Sequence, residues 1–354
     1  MKIIKYILSL CVVLGLLVNL TGCPQTANGG VEPLGMVYYN FFDTVSYIYS
    51  YTGDTKESFS ENCSKIAEIL DKHHKLFDIY YEYTDVTNLC TINKNAGGEP
   101  LKVDKELIDF LLYAKELYDI TNGEMNIMMG AVLRPWHDCR TEASSDPSSA
   151  RLPEEAVLVE AAKHTDFSSL EIDVENQTVR ITDPKASIDV GALGKGYATE
   201  KAAQYLIQKN IKGYVLNIGG NIRIVGTKTD GSGWMTGIKD PEAPGSAYAS
   251  YITIANTSCV TSGNYERFYN VDGVKYHHII DKDTLMPANY FSSVTIITEN
   301  SGLADALSTA LFCMSYEDGL SIVEALDGVD VLWILPDGEQ KMTDGFKSLI
   351  TERK

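Results

Sequence analysis

Residues 186–209 read ASIDVGALGKGYATEKAAQYLIQK, and the order of residue types in this stretch decides how the chain is to be understood. An apolar strand is expected to end on Asp189. Gly191, Gly194 and Gly196 then make a turn, and a helix follows. Such a turn can leave backbone amides facing an anion, and the positive end of the helix dipole adds to the attraction. Lys195 sits inside the turn, where an ammonium group can reach a phosphate. Asp189 acts in the opposite sense, because a lone carboxylate repels such a ligand unless it touches a metal ion, a sugar hydroxyl or a base. The stretch therefore suggests a nucleotide site with a divalent cation nearby, although the same glycines also suit a plain tight turn with close packing. Gly196 follows Lys195 where a P-loop needs Ser or Thr, and the spacing is not GxGxxG, so neither phosphate-binding fingerprint is present.

Upstream, residues 1–23 read MKIIKYILSLCVVLGLLVNLTGC. Two lysines precede an apolar run of signal-peptide length, short for a membrane span. Small residues lead into Cys23, which resembles a bacterial lipoprotein signal in which residues 1–22 are removed and Cys23 is lipidated. The expected location is the extracytoplasmic face of the cell membrane, with an uncleaved anchor helix as the other reading. Residues 23–35 are rich in Gly, Pro and small polar residues and are expected to form a flexible tether. Residues 36–354 form the working part. Hydrophobic residues make up 44% of the sequence and charged ones 22%, which excludes a disordered chain. No second linker interrupts this part, so a single domain, with a cofactor in a cleft between two lobes, is expected.

The formal net charge of −18 excludes nucleic acid as a partner. An anionic nucleotide would need local countercharge. The cysteines beyond Cys23, namely Cys63, Cys90, Cys139, Cys259 and Cys313, are scattered and form no CxxC pair, which argues against a disulfide framework or a zinc site.

Helical spacing is expected over residues 58–77, 104–120 and 301–315, the last with Ser301 as N-cap. Strands are expected at 38–51 with Asp43 and Thr44 at the centre and at 213–218, which runs into NIGGNIRIVG, a second glycine turn followed by another short strand. Further strands are expected at 235–238, 248–255, 268–269, 274–280, 292–297, 329–335 and 346–350. Residues 168–181 read as a hairpin, and 137–153 as a mobile polar surface insert. Hairpins dominate the second half, so the expected class is α+β, with helices packed on a mixed, largely antiparallel sheet.

Several segments place polar residues where an apolar pattern would otherwise run on. In ADALSTA, residues 304–310, Asp305 and Thr309 share one helical face and suit a hard cation such as Mg²⁺. They also suit a helix-dipole partner and a back-bonded threonine. In YHHIIDKDTLMP, residues 276–287, His278 and Asp281 suit a general base with an orienting partner. TNGEMN at 121–126 and SCVTSGNYER at 258–267 read as polar loops that could line a nucleotide or be ordinary turns.

In this order, FDT at 42–44, TNGEMN, IDVGALGKGYA, NIGGNIRIVG, TSGNYER, HHIID and ADALSTA resemble the ApbE family of flavin transferases, which use FAD to attach FMN covalently to a protein threonine. The resemblance implies that Asp189 contacts the flavin and that the backbone carbonyl of Ala192 joins Asp305 and Thr309 as Mg²⁺ ligands. It implies that Lys195, Gly196 and Tyr197 line the FAD together with Glu124, Met125 and Asn126. Asp78 falls where the family has a small polar residue near the cofactor. The resemblance further implies that His278 lies against the cofactor and accepts the threonine proton, with Asp281 three residues on. The chain departs from the family pattern after HIID, where Lys282, Asp283 and Leu285 replace the usual proline, arginine and glycine, and at Met125, where an aromatic often stands. The implied reaction releases AMP, and the implied partners are FAD and acceptor proteins of membrane or extracytoplasmic redox systems. An FAD pyrophosphatase giving FMN and AMP, and a flavin-binding lipoprotein without catalysis, are the alternatives.

Overall fold

A computed structural model describes residues 32–243 and 247–352. The expected leader, Cys23 and most of the tether lie outside the described residues, and the tether's last residues, Leu34 and Gly35, already belong to the first strand. That strand, β1 (Leu34–Phe41), pairs with β2 (Thr44–Ser50) through Phe42 and Asp43, whose φ values of 52° and 51° make a two-residue hairpin turn. The single strand expected here is thus a hairpin, because aromatic residues on both sides hide the turn. The long helix α1 (Lys56–Phe77) is capped by the Thr55 hydroxyl and buries Phe59, Cys63, Ile66 and Leu70. The short α2 (Leu89–Lys94) and β3 (Leu101–Lys102) follow. Asp104 caps α3 (Lys105–Ile120), which ends at left-handed Asn122 and Gly123 as the sequence suggests.

The stretch expected to be a mobile insert is mostly a packed helix, α4 (Gly130–Ser145). Its buried residues Val132, Trp136, Cys139 and Ala143 recur every three or four positions, a stripe that the polar majority conceals. After α5 (Glu155–Ala161), β4 (Leu170–Asp173) and β5 (Thr178–Ile181) form the expected hairpin. The strand expected at 186–189 is absent. One bridge joins Ser187 to Met129, and the Asn93 side chain brackets Ile188 from both sides, donating to its carbonyl and accepting from its amide. An amide side chain here does the work of a neighbouring strand.

The helix α6 (Gly194–Gln208) leads into β6 (Tyr214–Ile218) and β7 (Asn221–Val225). An arm of β8 (Trp234–Lys239) and β9 (Tyr248–Ile254) comes next. The segment read as a polar loop at 258–267 begins instead with β10 (Ser258–Gly263), a central strand whose small residues are mostly buried. A hairpin of β11 (Phe268–Val271) and β12 (Val274–His277) follows, then β13 (Ser293–Thr298). The side chain of Asn300, not Ser301, caps α7 (Ser301–Phe312). The chain ends with α8 (Tyr316–Glu324), β14 (Asp330–Ile334), β15 (Gln340–Met342) and α9 (Asp344–Leu349). The strand expected at 346–350 is this last helix, since the Thr343 hydroxyl accepts from Phe346 N–H and starts it.

Eight strands make one antiparallel sheet in the order β1-β2-β6-β7-β10-β13-β14-β15. One face packs on α1, α6 and α7, and the other on the β8–β9 arm and α9. The five cysteines in the described residues are free and buried, in line with the sequence. Between the helices and the sheet lies one buried ion pair. Glu200 of α6 accepts from Arg223 Nε of β7 at 3.1 Å and from the backbone N–H of Ser301, the first residue of α7, at 3.0 Å. Three elements therefore meet on one carboxylate. Removing one partner of such a pair leaves a buried charge uncompensated. Arg223→Met should cost about 3 kcal/mol, read as a lower midpoint in chemical denaturation, whereas Lys65→Met at an exposed pair should change stability by less than about 1 kcal/mol.

Candidate functional site

The glycine turn acts differently from the anion cradle expected of it. Gly191 N–H donates to Asp189 Oδ1 at 2.8 Å, and the amides of Leu193 and Gly194 both donate to the Val190 carbonyl. Gly196 N–H donates to Asp305 Oδ2 at 2.8 Å. The amides of Gly191, Leu193, Gly194 and Gly196 are thus consumed within the fold. What the glycine supplies is closeness: a Cβ on Gly196 would collide with Asp305 Cβ and the Ser301 carbonyl. The first turn of α6 therefore rests directly against α7.

That contact builds the metal-ligand candidate. Asp305 Oδ2 also accepts from Asn221 Nδ2 at 3.1 Å, and Lys195 Nζ lies 3.7 Å away. Both hydrogen bonds converge on Oδ2, so among the described residues Oδ1 has no protein donor. Burial pushes the Asp305 carboxyl above its usual range, and Lys195, Gly196 N–H and Asn221 oppose that shift. One turn on, Thr309 Oγ1 lies 3.2 Å from Ser262 Oγ, which also meets Ser308 Oγ at 2.8 Å. Ala192 is half-buried in the adjoining turn, and Lys195 Nζ donates to the Gly191 carbonyl at 3.2 Å. Among the described residues no three His, Cys, Asp or Glu side chains gather to hold a metal. A single buried carboxylate beside neutral hydroxyls fits an ion that takes few protein oxygens and fills its shell with water and phosphate, as Mg²⁺ does.

A second group of residues was not foreseen. Asp189 Oδ2 lies 3.9 Å from His137 Nε2, and His137 Nδ1 shares a hydrogen bond of 2.9 Å with the Tyr80 hydroxyl. Burial lowers the His137 pKa against the pull of Asp189, and burial followed by Asp189 raises that of Tyr80 to about 12. Arg140 stands one turn beyond His137. Burial and then the charge of Arg267 lower its pKa. Neither arginine has a carboxylate partner among the described residues, and both charges act on His278. Burial first, then Arg267 and Arg140, hold the His278 imidazole well below its usual pKa, and its Nδ1 is buried without a partner. His137 and Arg140 were hidden by reading 137–153 as a surface insert. Their spacing of three on a helix was the available signal.

The other expected site residues divide. Asp281 does not orient His278; its Oδ1 accepts from the amides of Asp283 and Thr284, because a short carboxylate is best placed to bond its own turn. His277, the strand neighbour, has a structural role, with Nε2 facing the Ala288 carbonyl at 2.8 Å. The Asp78 carboxylate is taken up by the amides of Tyr80 and Tyr81 and the Tyr83 hydroxyl. Met125 is core, and Asn126 binds the Thr165 carbonyl and the Met128 amide. The Tyr197 ring packs among His73, Phe77, Phe110 and Tyr113. Glu124 is partly buried and meets Lys282 Nζ at 3.0 Å.

An antiparallel sheet backed by helices that touch at Gly196, with a buried carboxylate beside Lys195, defines an α+β protein suited to a phosphate-bearing ligand. Residues 43–333 match the ApbE family, and the chain belongs to it. A FAD:protein FMN transferase of Treponema pallidum is 32% identical over 276 residues, 74% of this chain and 74% of its own. One from Vibrio cholerae is 30% identical over 266 residues, 75% of this chain and 76% of its own. An ApbE protein from Thermotoga maritima has a TM-score of 0.79 at 29% identity, covering 91% of this chain and 100% of its own. The flavin transferase ApbE from Vibrio cholerae gives 0.74 at 25% identity, with 90% and 99% covered.

Gly196→Ala tests the crossing. It should destabilise the protein by about 1–3 kcal/mol, as expected for overpacking, and a thermal melt of the variant against wild type measures it.

Proposed function

We propose that the chain transfers FMN from FAD to a threonine hydroxyl of an acceptor protein and releases AMP, with Mg²⁺ as cofactor. The observation that carries this reading is the Asp305 carboxylate, buried where α6 meets α7 and held on one oxygen by Gly196 N–H and Asn221 Nδ2, with the Thr309 hydroxyl one turn further along α7. Asp305, Thr309 and the Ala192 carbonyl would hold Mg²⁺, which supplies positive charge to the diphosphate when bound. Lys195, Arg140 and Arg267 bring positive charge to the same group of residues, so an anionic substrate can approach a strongly acidic chain. His278 is neutral near pH 7 and takes the proton of the incoming hydroxyl. The hydroxyl oxygen bonds to the phosphorus of the FMN half as the bond to AMP breaks, and AMP carries away the displaced oxygen. The acceptors that fit are proteins of membrane or extracytoplasmic redox systems, and a lipid on Cys23 would hold the enzyme beside them.

Incubating the protein with FAD, Mg²⁺ and candidate redox subunits should yield a fluorescent acceptor band with the mass of FMN added. AMP release without any labelled acceptor would favour hydrolysis instead. Asp305→Asn should abolish metal-dependent turnover while the protein stays folded by circular dichroism. His278→Ala should lower kcat by about 10²–10⁴-fold, the range for a general base. The lowered pKa of His278 means that its base form persists down through pH 6.5, so the acid limb of the rate profile should lie below that value. A limb centred at or above pH 6.5 would remove His278 from the proton step. Cys23→Ser should move the protein from the membrane to the soluble fraction.

A further inference from the structure

The hydroxyls around Thr309 fix where its proton goes. Ser308 Oγ donates to the Asp305 carbonyl at 2.9 Å, Ser262 Oγ of β10 lies 2.8 Å from Ser308 Oγ, and Thr309 Oγ1 lies 3.2 Å from Ser262 Oγ. Three hydrogen bonds thus join three hydroxyls and one carbonyl, and each hydroxyl has one proton to give. The carbonyl at the end of the chain can only accept. Ser308 therefore donates to it, Ser262 donates to Ser308, and Thr309 donates to Ser262. Any other order leaves one of the three bonds without a proton.

That direction matters for a cation. A hydroxyl ligates a metal through a lone pair on oxygen, so its proton has to point elsewhere. Among the described residues Ser262 is the one hydrogen-bond partner of Thr309 Oγ1, and with the proton committed there the lone pairs stay open. Asp305, one turn back on the same face of α7, shows a matching arrangement. Its Oδ2 accepts from Gly196 N–H and Asn221 Nδ2, while Oδ1 receives no protein donor among the described residues. Without Ser262, the Thr309 proton would turn to a carbonyl of its own helix, as threonines inside helices commonly do, or toward the ion itself. Ser308 is fully buried, whereas Ser262 and Thr309 are half-buried, so the order of protons is anchored at its inner end.

We propose that Ser262 is a positioning residue for metal binding: it accepts the Thr309 proton, passes its own to Ser308, and so keeps the lone pairs of Thr309 Oγ1 free for the cation. The inference rests on the Mg²⁺ reading of Asp305 and Thr309 given above. Ser262 acts through Thr309, and Ser308 acts through Ser262.

The test titrates Mg²⁺ into the full protein by calorimetry, alone and with ADP, which presents a diphosphate without a flavin to transfer. Ser262→Ala should weaken Mg²⁺ binding about tenfold, the low end of what losing an outer partner of a metal ligand costs. Ser308→Ala should weaken it less, because Ser262 can still bond Thr309 but is no longer obliged to accept from it. The double variant should lie within about twofold of Ser262→Ala, since the two serines form one chain. Ser262→Thr keeps the hydroxyl and should bind Mg²⁺ as wild type does. The metal-free melting temperature of Ser262→Ala should match that of wild type, and its turnover should recover when Mg²⁺ is raised to saturation. Unchanged Mg²⁺ affinity in Ser262→Ala, losses that multiply in the double variant, or a turnover defect that excess Mg²⁺ leaves in place overturns the inference. Wild-type protein that takes up no Mg²⁺ in either state and turns over equally well without it overturns the metal reading, and this inference with it.

Discussion

The site depends on two helices lying closer together than side chains normally allow. The first turn of α6 touches α7 because residue 196 has no Cβ, and the amide thus exposed becomes a donor to Asp305. Four residues on, Glu200 anchors the same pair from below by taking the first amide of α7 and the Arg223 side chain. A buried ion pair stabilises little by itself, since desolvation offsets most of the Coulomb gain. Its value here is geometric: it sets where α7 begins, and thereby which side of α7 carries Asp305 and Thr309 toward the glycine turn.

Electrostatics follow from that geometry. The chain as a whole repels anions, yet Lys195, Arg140 and Arg267 act together on one imidazole, and neither arginine has a carboxylate partner among the described residues. Placing the two arginines close together costs energy through their mutual repulsion, and among the described residues neither forms an ion pair that offsets it. Such an arrangement is expected where a ligand supplies the missing charge. Asp305 has the complementary problem, a buried acid whose ionised form calls for a cation.

Much of this was legible in the residue order. The glycines, the ADALSTA face and the histidine pair each marked a position where local preference gives way: Gly196 meets Asp305, and His278 is buried under the charge of Lys195, Arg140 and Arg267. What misled was composition. Residues 137–153 look like solvent-exposed loop because polar residues outnumber apolar ones, while the buried stripe of α4 carries the helix and brings His137 and Arg140 inward. Asp281 looked like a partner for His278 by spacing alone, but its own turn amides lie nearer.

From its amino-acid order alone, the chain determined the class α+β, the helices α1, α3, α6 and α7 and most strands, the family, and which acids and histidines deserved suspicion. Those properties are local or periodic, and so can be read along one dimension. Tertiary structure alone decided what the glycine turn is for, which carboxylates are free, and that Lys282 faces Glu124 across more than 150 positions of chain. Hydrogen-bond partners are settled by proximity in space, and a short acidic side chain satisfied by its own backbone looks the same in a sequence as one held open for a ligand.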